Sequence, residues 1–275
     1  MQIMKNTKLA PSLGIIRLDY DYPAAPGDID HSGSFEYDVY YRVVPGFTFE
    51  MCQSGKMTEV VEKNFIKALK YLQYEKKVNA ITGDCGFMMF FQDFARKHTT
   101  IPILMSALAQ LPAVTCAFSE EEEIIIMTAN GKTLEPMRNL IRKECGVDTQ
   151  KKRFNIIGCE DVDGFEAVAL GEKVDVEKCT PGIVAKAKQA LENFPKARCF
   201  LLECTELPPY ADSIRKETGI PVFDAITNAN YFISGFQDNK NFGEDFQEEW
   251  DGIQDDYHFG DNLDEEDLEN LVNKK

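Results

Sequence analysis

Eight short apolar runs, most of them bounded by glycine, proline or an acid, alternate along this chain with segments of helical period. That alternation restricts the fold more than any other feature. Brief runs that are apolar throughout are strands buried on both faces of a parallel sheet, and the helical segments between them supply the crossovers that parallel strands require. The expected strands are Leu13–Leu18, Tyr37–Val44, Ala80–Gly83, Ile101–Met105, Ile124–Thr128, Phe154–Gly158, Cys199–Glu203 and Pro221–Asp224. Helices are expected over Lys56–Tyr74, Phe87–Arg96, Ser106–Ala117, Thr133–Cys145, Thr180–Asn193 and Tyr210–Thr218. In the fourth, Leu134, Met137, Ile141 and Cys145 recur at spacings of three and four, which puts them on one buried face.

The halves of the chain resemble each other. Each opens with a glycine-bearing apolar strand, LGIIRL and NIIGCE, and each later has a strand that ends in an acid followed by cysteine, VNAITGDCGF and RCFLLECTEL. The fold class expected is α/β: two similar doubly wound lobes with mostly parallel sheets and the active site between them. The first lobe is taken as residues 1–135 and the second as 136–236, with the boundary near Gly131–Lys152 and open to crossing of the chain between lobes.

The net charge of −16 is uneven, because residues 238–275 hold 14 acids and three lysines. The body is nearly neutral for its size, with no basic stripe to hold a phosphate backbone, so nucleic acid is not an expected partner. The acidic segment from residue 237 on is expected to be partly docked through Phe242, Phe246 and Trp250, which have helical spacing. It is not an EF-hand loop, since Lys240 and Phe242 fall where oxygen ligands are needed. No apolar run is long enough to span a bilayer. The N-terminal MQIMKNTKLAPSLG lacks a signal-peptide core, so membrane association is not expected and the cytosol is the expected compartment.

The chain has no GxGxxG or GxxxxGK[ST] phosphate loop, no HExxH and no GxSxG elbow. Its three histidines are scattered, and none of its eight cysteines forms a CxxC pair. No metal and no cofactor is expected, and the thiols are read as reduced. Ligands of open α/β sheets bind beyond the carboxyl ends of the strands. Cys85 and Cys204 each stand there, on strand-to-helix turns where backbone N–H groups favour an anion. Cys199, Cys116 and Cys145 fall inside elements, and Cys52 and Cys179 in connections without matching partners. Cys159 is the rival, since it also follows a strand, but it has no counterpart in the other half. Two thiols from opposite lobes suit removal of a weakly acidic hydrogen α to a carboxylate.

The segment CTELPPY resembles the second cysteine motif of the aspartate/glutamate racemase superfamily, GDCGF takes the place of its first, and IMTANGKT is similar to the strand end between its lobes. A closer resemblance, over nearly the whole chain, is to the algal Alma-type dimethylsulfoniopropionate lyases. It is carried by GIIRLDYDYPAAPGDIDHSGSFEYDVYYRVVPG, FEMCQSGKMT, ITGDCGFMMFFQ, MSALAQLPAV, GFEAVALGEKVDVEK and LLECTELPPYADSIRKETGIPVFDAIT. The resemblance implies a cofactor-independent carbon–sulfur lyase that yields dimethyl sulfide and acrylate, with Cys85 and Cys204 both required and a homo-oligomeric assembly. For a zwitterionic sulfonium substrate, the carboxylate donors expected are the Gly86 and Thr205 amides, Ser106, Thr128, Asn130 and Arg17. The sulfonium end is expected to meet Tyr20, Phe87, Tyr210, Asp19 and Glu206. Asp84 and Glu203, which precede the cysteines, are expected to orient the turns. The same two thiols would serve a cofactor-independent amino-acid racemase equally well, and a family member that has lost its rate would act only as a binding protein.

Overall fold

The computed structural model describes residues 10–237, 264–266 and 269. Residues up to Gln237 form one compact unit and the acidic segment from Asp238 another. Phe242, Phe246 and Trp250, the expected anchor, lie outside the described residues. Among the described residues, no helix is long and apolar enough to cross a membrane.

All eight expected strands form, in two four-stranded sheets that are parallel throughout. The first contains β1 (Ser12–Arg17), β2 (Asp38–Val43), β3 (Ala80–Gly83) and β4 (Ile103–Leu104), in the order β2-β1-β3-β4. The second contains β5 (Glu123–Thr128), β6 (Phe154–Gly158), β7 (Ala197–Leu202) and β8 (Val222–Phe223), in the order β6-β5-β7-β8. The orders are the same, so the likeness of the halves extends to topology. The helices are α1 (Phe49–Ser54), α2 (Glu59–Lys70), α3 (Gln92–Lys97), α4 (Leu111–Cys116), α5 (Gly131–Leu134), α6 (Arg138–Cys145), α7 (Ala167–Leu170), α8 (Val176–Asn193), α9 (Ala211–Thr218) and α10 (Ala225–Ser234).

The side chains of each sheet alternate between two cores, as the two-residue repeat of a strand requires. From the second sheet, Ile124, Ile126, Cys199 and Leu201 join the core that holds Phe47, Phe65, Leu111 and Ile141. Ile125, Met127, Phe200 and Leu202 face the other way, with Ile183 of α8 and Ile214 of α9. In β1, Ile16 belongs to the first of these cores, while Leu13 and Ile15 pack with Ala225, Ala229 and Ile233 of α10. The second sheet begins with β5 at Glu123, and α10 packs on β1 of the first.

Several helices differ from expectation for local reasons. Ser106–Ala117 is a 3-10 turn over Ala107–Gln110 followed by α4. Pro112 stands in the first turn of α4, where its missing N–H leaves no bond unmade. Similarly, Gly86–Phe91 is a 3-10 turn ahead of α3. Helix α8 begins at Val176 rather than Thr180 because the Asp175 side chain caps it by accepting from Lys178 N; Pro181 lies inside the helix, where it lacks the N–H that would bond to Glu177 O. Cys52 and Cys179, expected in connections, lie within α1 and α8.

Helix α10 was not expected, yet its start is strongly specified. The Asp224 side chain accepts from Thr227 N at 2.8 Å, and the Thr227 hydroxyl accepts from Asp224 N at 2.7 Å. This reciprocal capping satisfies two otherwise orphaned donors. Substituting Asp224→Ala is expected to lower unfolding stability by about 1 kcal/mol, the usual value of an N-cap. Urea unfolding followed by circular dichroism would measure the loss.

Candidate active site at the paired strand ends

Each cysteine-bearing turn extends its sheet one residue beyond the strand. After β3, Asp84 N donates to Ile16 O at 3.1 Å; after β7, Glu203 N donates to Met127 O at 2.7 Å. Each of these acids then fastens its side chain to the end of the neighbouring central strand. Asp84 Oδ2 accepts from Leu18 N at 2.9 Å, and Glu203 Oε2 accepts from the Thr128 hydroxyl at 2.6 Å. Both acids thus tie their turns to the neighbouring strand end.

The turns also lock onto each other. The Thr205 hydroxyl donates to Asp84 O at 2.5 Å. On the other side, Gly86 lies so close to Glu203 that a methyl group on its Cα would stand 2.0 Å from Glu203 Oε1 and 2.5 Å from Glu203 O. Residues 84 and 205 thus meet, and so do 86 and 203, which leaves Cys85 and Cys204 opposite each other between the two contacts. Cys85 is 6% exposed and Cys204 7%, so both are buried at the junction of the turns.

The thiols have different neighbours. Cys204 Sγ donates to Glu206 Oε2 at 2.9 Å, and the Thr205 hydroxyl oxygen lies 3.2 Å from the same carboxyl oxygen. Burial, followed by the charge of Glu206, pushes the Cys204 thiol well above its ordinary range. Cys85 shares a hydrogen bond with the thiol of Cys52, which together with burial pushes it up as well. The site is rich in acids. Burial raises Glu203 to about 7, and it raises Glu206, Asp28, Asp30 and Asp84 too. Against them stands Arg17, whose Nε lies 3.0 Å from Asp30 and 4.0 Å from Asp84.

The other expected residues divide clearly. Tyr20 is at the site, where its ring stacks on Tyr22 at 5.6 Å and 9° and its hydroxyl donates to Val168 O at 2.5 Å. Glu206, Thr205, Gly86 and Thr128 belong to the interlocked turns. Tyr210 lies buried beneath Cys204 in the second core, edge-on to Phe165, and Phe87 lies in the first core with Cys85. Arg17 is held by Asp30. Asp19, Ser106 and Asn130 have local tasks: Asp19 is exposed and accepts from Gly46 N, Ser106 caps the 3-10 turn at Leu108, and Asn130 caps α5 at Thr133. Sequence reading missed Cys52, Tyr22, Asp28 and Asp30. They stand on a helix and a loop whose path depends on tertiary packing. The signal present was their position inside the quoted segments FEMCQSGKMT and GIIRLDYDYPAAPGDID.

Comparison with solved structures places the fold. The chain superposes on a variant of arylmalonate decarboxylase with a TM-score of 0.57, at 17% identity over 82% of this chain and 94% of that one. Allantoin racemase from Pseudomonas fluorescens gives 0.51, at 16% identity over 82% and 90%. An aspartate racemase homologue from Pyrococcus horikoshii gives 0.51, at 14% identity over 83% and 99%. The two-lobed α/β fold is thus shared with arylmalonate decarboxylase, allantoin racemase and the aspartate racemase homologue.

Sequence comparison narrows the class. No family model matches the chain. It is 54% identical to dimethylsulfoniopropionate lyase 7 of Emiliania huxleyi, over 96% of this chain and 78% of that one. It is 50% identical to the dimethylsulfoniopropionate lyase of Durusdinium, over 96% and 87%. The chain belongs to the dimethylsulfoniopropionate lyase family.

Two outcomes follow from the interlock. Gly86→Ala forces its methyl group into the Glu203 carboxylate and carbonyl, and is expected to cost about 1–3 kcal/mol in urea unfolding, as overpacking does. Glu203 titrates higher in the folded chain than its ordinary 4.5, so the folded state holds the extra proton between roughly pH 4.5 and 7. Its contribution to stability therefore falls as pH rises through that window and levels off above it. Glu203→Gln should remove this part of the slope in unfolding free energy against pH.

Proposed function

We propose that this chain cleaves dimethylsulfoniopropionate to dimethyl sulfide and acrylate by β-elimination, with Cys204 as the base and without a cofactor. The observation that carries the reading is the Cys204–Glu206 pair, set opposite Cys85 by two contacts between the lobes. Glu206 is poised to take the thiol proton. In the empty site the thiolate is costly, because the surroundings already hold several acids. A substrate bearing a permanent positive charge reverses that cost, since a cation within a few ångströms favours the ionised thiol.

The Cys204 thiolate then removes a proton from the carbon α to the substrate carboxylate. The electron pair of that C–H bond becomes the carbon–carbon double bond, the bond from the β-carbon to sulfur breaks, and its pair leaves with neutral dimethyl sulfide. The abstracted proton ends on Cys204 Sγ. The Gly86 and Thr205 amides, on the two facing turns, receive the substrate carboxylate as negative charge develops on it. Cys85, kept protonated beside Cys52, faces the reacting carbon from the opposite lobe and donates a hydrogen bond to the developing anion. The racemase reading uses the same thiols; the lyase reading is favoured by the high identity to named lyases over nearly the whole chain.

Purified protein given dimethylsulfoniopropionate should release dimethyl sulfide into the headspace, measured by gas chromatography. Cys204→Ser and Cys85→Ser should each lower kcat by about a hundredfold or more, the value of a positioned proton-transfer group. Cys116→Ser, at an exposed position, should leave it unchanged. No dimethyl sulfide from the wild type, together with racemisation of aspartate or glutamate, would overturn the assignment.

A further inference from the structure

Asp28 is a buried acid near Glu206 that the reaction above does not use. It stands on the connection between β1 and β2, and the docking of that connection fixes its place. Ile29 N donates to Thr205 O at 3.5 Å, and Gly27 lies against Pro209, whose Cα would be 3.1 Å from an added methyl group. The Ser34 hydroxyl binds Asp28 O at 2.6 Å and the Tyr41 hydroxyl binds Ile29 O at 3.0 Å. The loop is thereby held on the residues that follow Cys204, and the Asp28 carboxyl feels the charge of Glu206.

Asp28 is 1% exposed. Its Oδ1 accepts from Asp30 N at 2.9 Å, and its Oδ2 is closed off from water with the Tyr22 hydroxyl as its neighbour and, among the described residues, no cation beside it. Burial, followed by the charge of Glu206, holds this carboxyl well above its ordinary range, and a cation arriving beside it would favour the ionised form. Arg17 does not supply the charge, being held by Asp30. The Tyr22 hydroxyl borders the Asp28 carboxyl, and the Tyr22 ring, stacked with Tyr20, presents aromatic surface beside it. Among the described residues, no group of three or more acid, histidine or cysteine side chains could hold a metal ion. A cation without N–H donors, attracted by charge and by ring faces, suits this environment better than one that needs a shell of oxygen ligands.

We propose that Asp28 and Tyr22, next to Glu206, form the subsite for the cationic end of an onium carboxylate and set the preference for that charge. The proposal rests on the substrate site described above and assigns its second end. It distinguishes a permanent cation from a neutral group of the same shape, which is the discrimination a carboxylate can make and an apolar pocket cannot.

The test is calorimetric titration of the full chain with two unreactive isosteres, 3-(trimethylammonio)propanoate and 4,4-dimethylpentanoate. The wild type is expected to bind the cation at least about tenfold more tightly. Asp28→Asn, which retains the acceptor for Asp30 N, should reduce that preference to about twofold or less and raise KM for the sulfonium substrate more than it lowers kcat. Tyr22→Leu, which removes ring and hydroxyl, should reduce the preference as well and serves if Asp28→Asn fails to fold. An undiminished preference in the folded variant, or none in the wild type, overturns the subsite. Absence of dimethyl sulfide from the wild type would overturn the lyase reading alone, because the titration still decides whether the subsite selects a cation.

Discussion

The two contacts between the cysteine turns are the constraint on which the site depends. A hydroxyl–carbonyl hydrogen bond from Thr205 to Asp84 closes one side, and on the other Gly86 lies against Glu203 at a separation that only a missing side chain permits. Neither contact is large in energy: a neutral hydrogen bond contributes about 1 kcal/mol net. What they supply is position. The thiols come from lobes whose sheets share no strand ladder, so their alignment cannot come from backbone pairing within one sheet. It comes from turns that each continue their own sheet by one hydrogen bond and then meet, an arrangement that makes the thiols as well ordered as the strands behind them.

Burial at this junction also sets the electrostatics. Acids and thiols share a closed space with Arg17, and low exposure raises each carboxyl above its ordinary range. A protein that holds such groups accepts a cost in stability near neutral pH, since every one of them would ionise more readily in the unfolded chain. The cost makes sense where a cation is to be bound: the site is least comfortable when empty. In the proposed reaction a chain with scattered histidines needs none for the thiol, since Glu206 stands 2.9 Å from Cys204 Sγ as the proton acceptor and the charge of the substrate would supply the driving force.

The strands were legible because each carries its own signal. Runs such as IIIMT and CFLL are buried on both faces, so no polar residue interrupts them, and the acid–cysteine pair at two of their ends marks the carboxyl edge. Helices were legible where a charged face alternates with an apolar one, as in α2 and α6. Helix α10, AITNANYFIS, has no charged residue, and its face against β1 and β3 is made chiefly of alanine and isoleucine. The evidence for it was the cap, aspartate three residues before threonine. Cys52 failed for a different reason. It lies far from Cys85 in sequence, on a six-residue helix capped by Thr48, and nothing local says that this helix meets the turn after β3.

The loop from Tyr20 to Ser34 shows where sequence reading reaches its limit. Its prolines, glycine and aspartates read as an irregular connection, and in spacing terms Asp19, Asp21, Asp28 and Asp30 are equivalent. Position in space separates them. Asp19 turns outward to hold Gly46 N, Asp30 takes the Arg17 guanidinium, and Asp28 is carried inward by the bond from Ile29 N to Thr205 O. One acid holds a loop amide, one is an ion-pair partner, and one is left buried beside the Tyr22 hydroxyl. Because the loop belongs to the first half of the chain and is docked on the cysteine turn of the second, it closes over the junction that both lobes build. On the proposed reading, the charge that selects the ligand and the thiol that reacts with it are held by the same contacts, and a change that loosens the loop should weaken recognition and chemistry together.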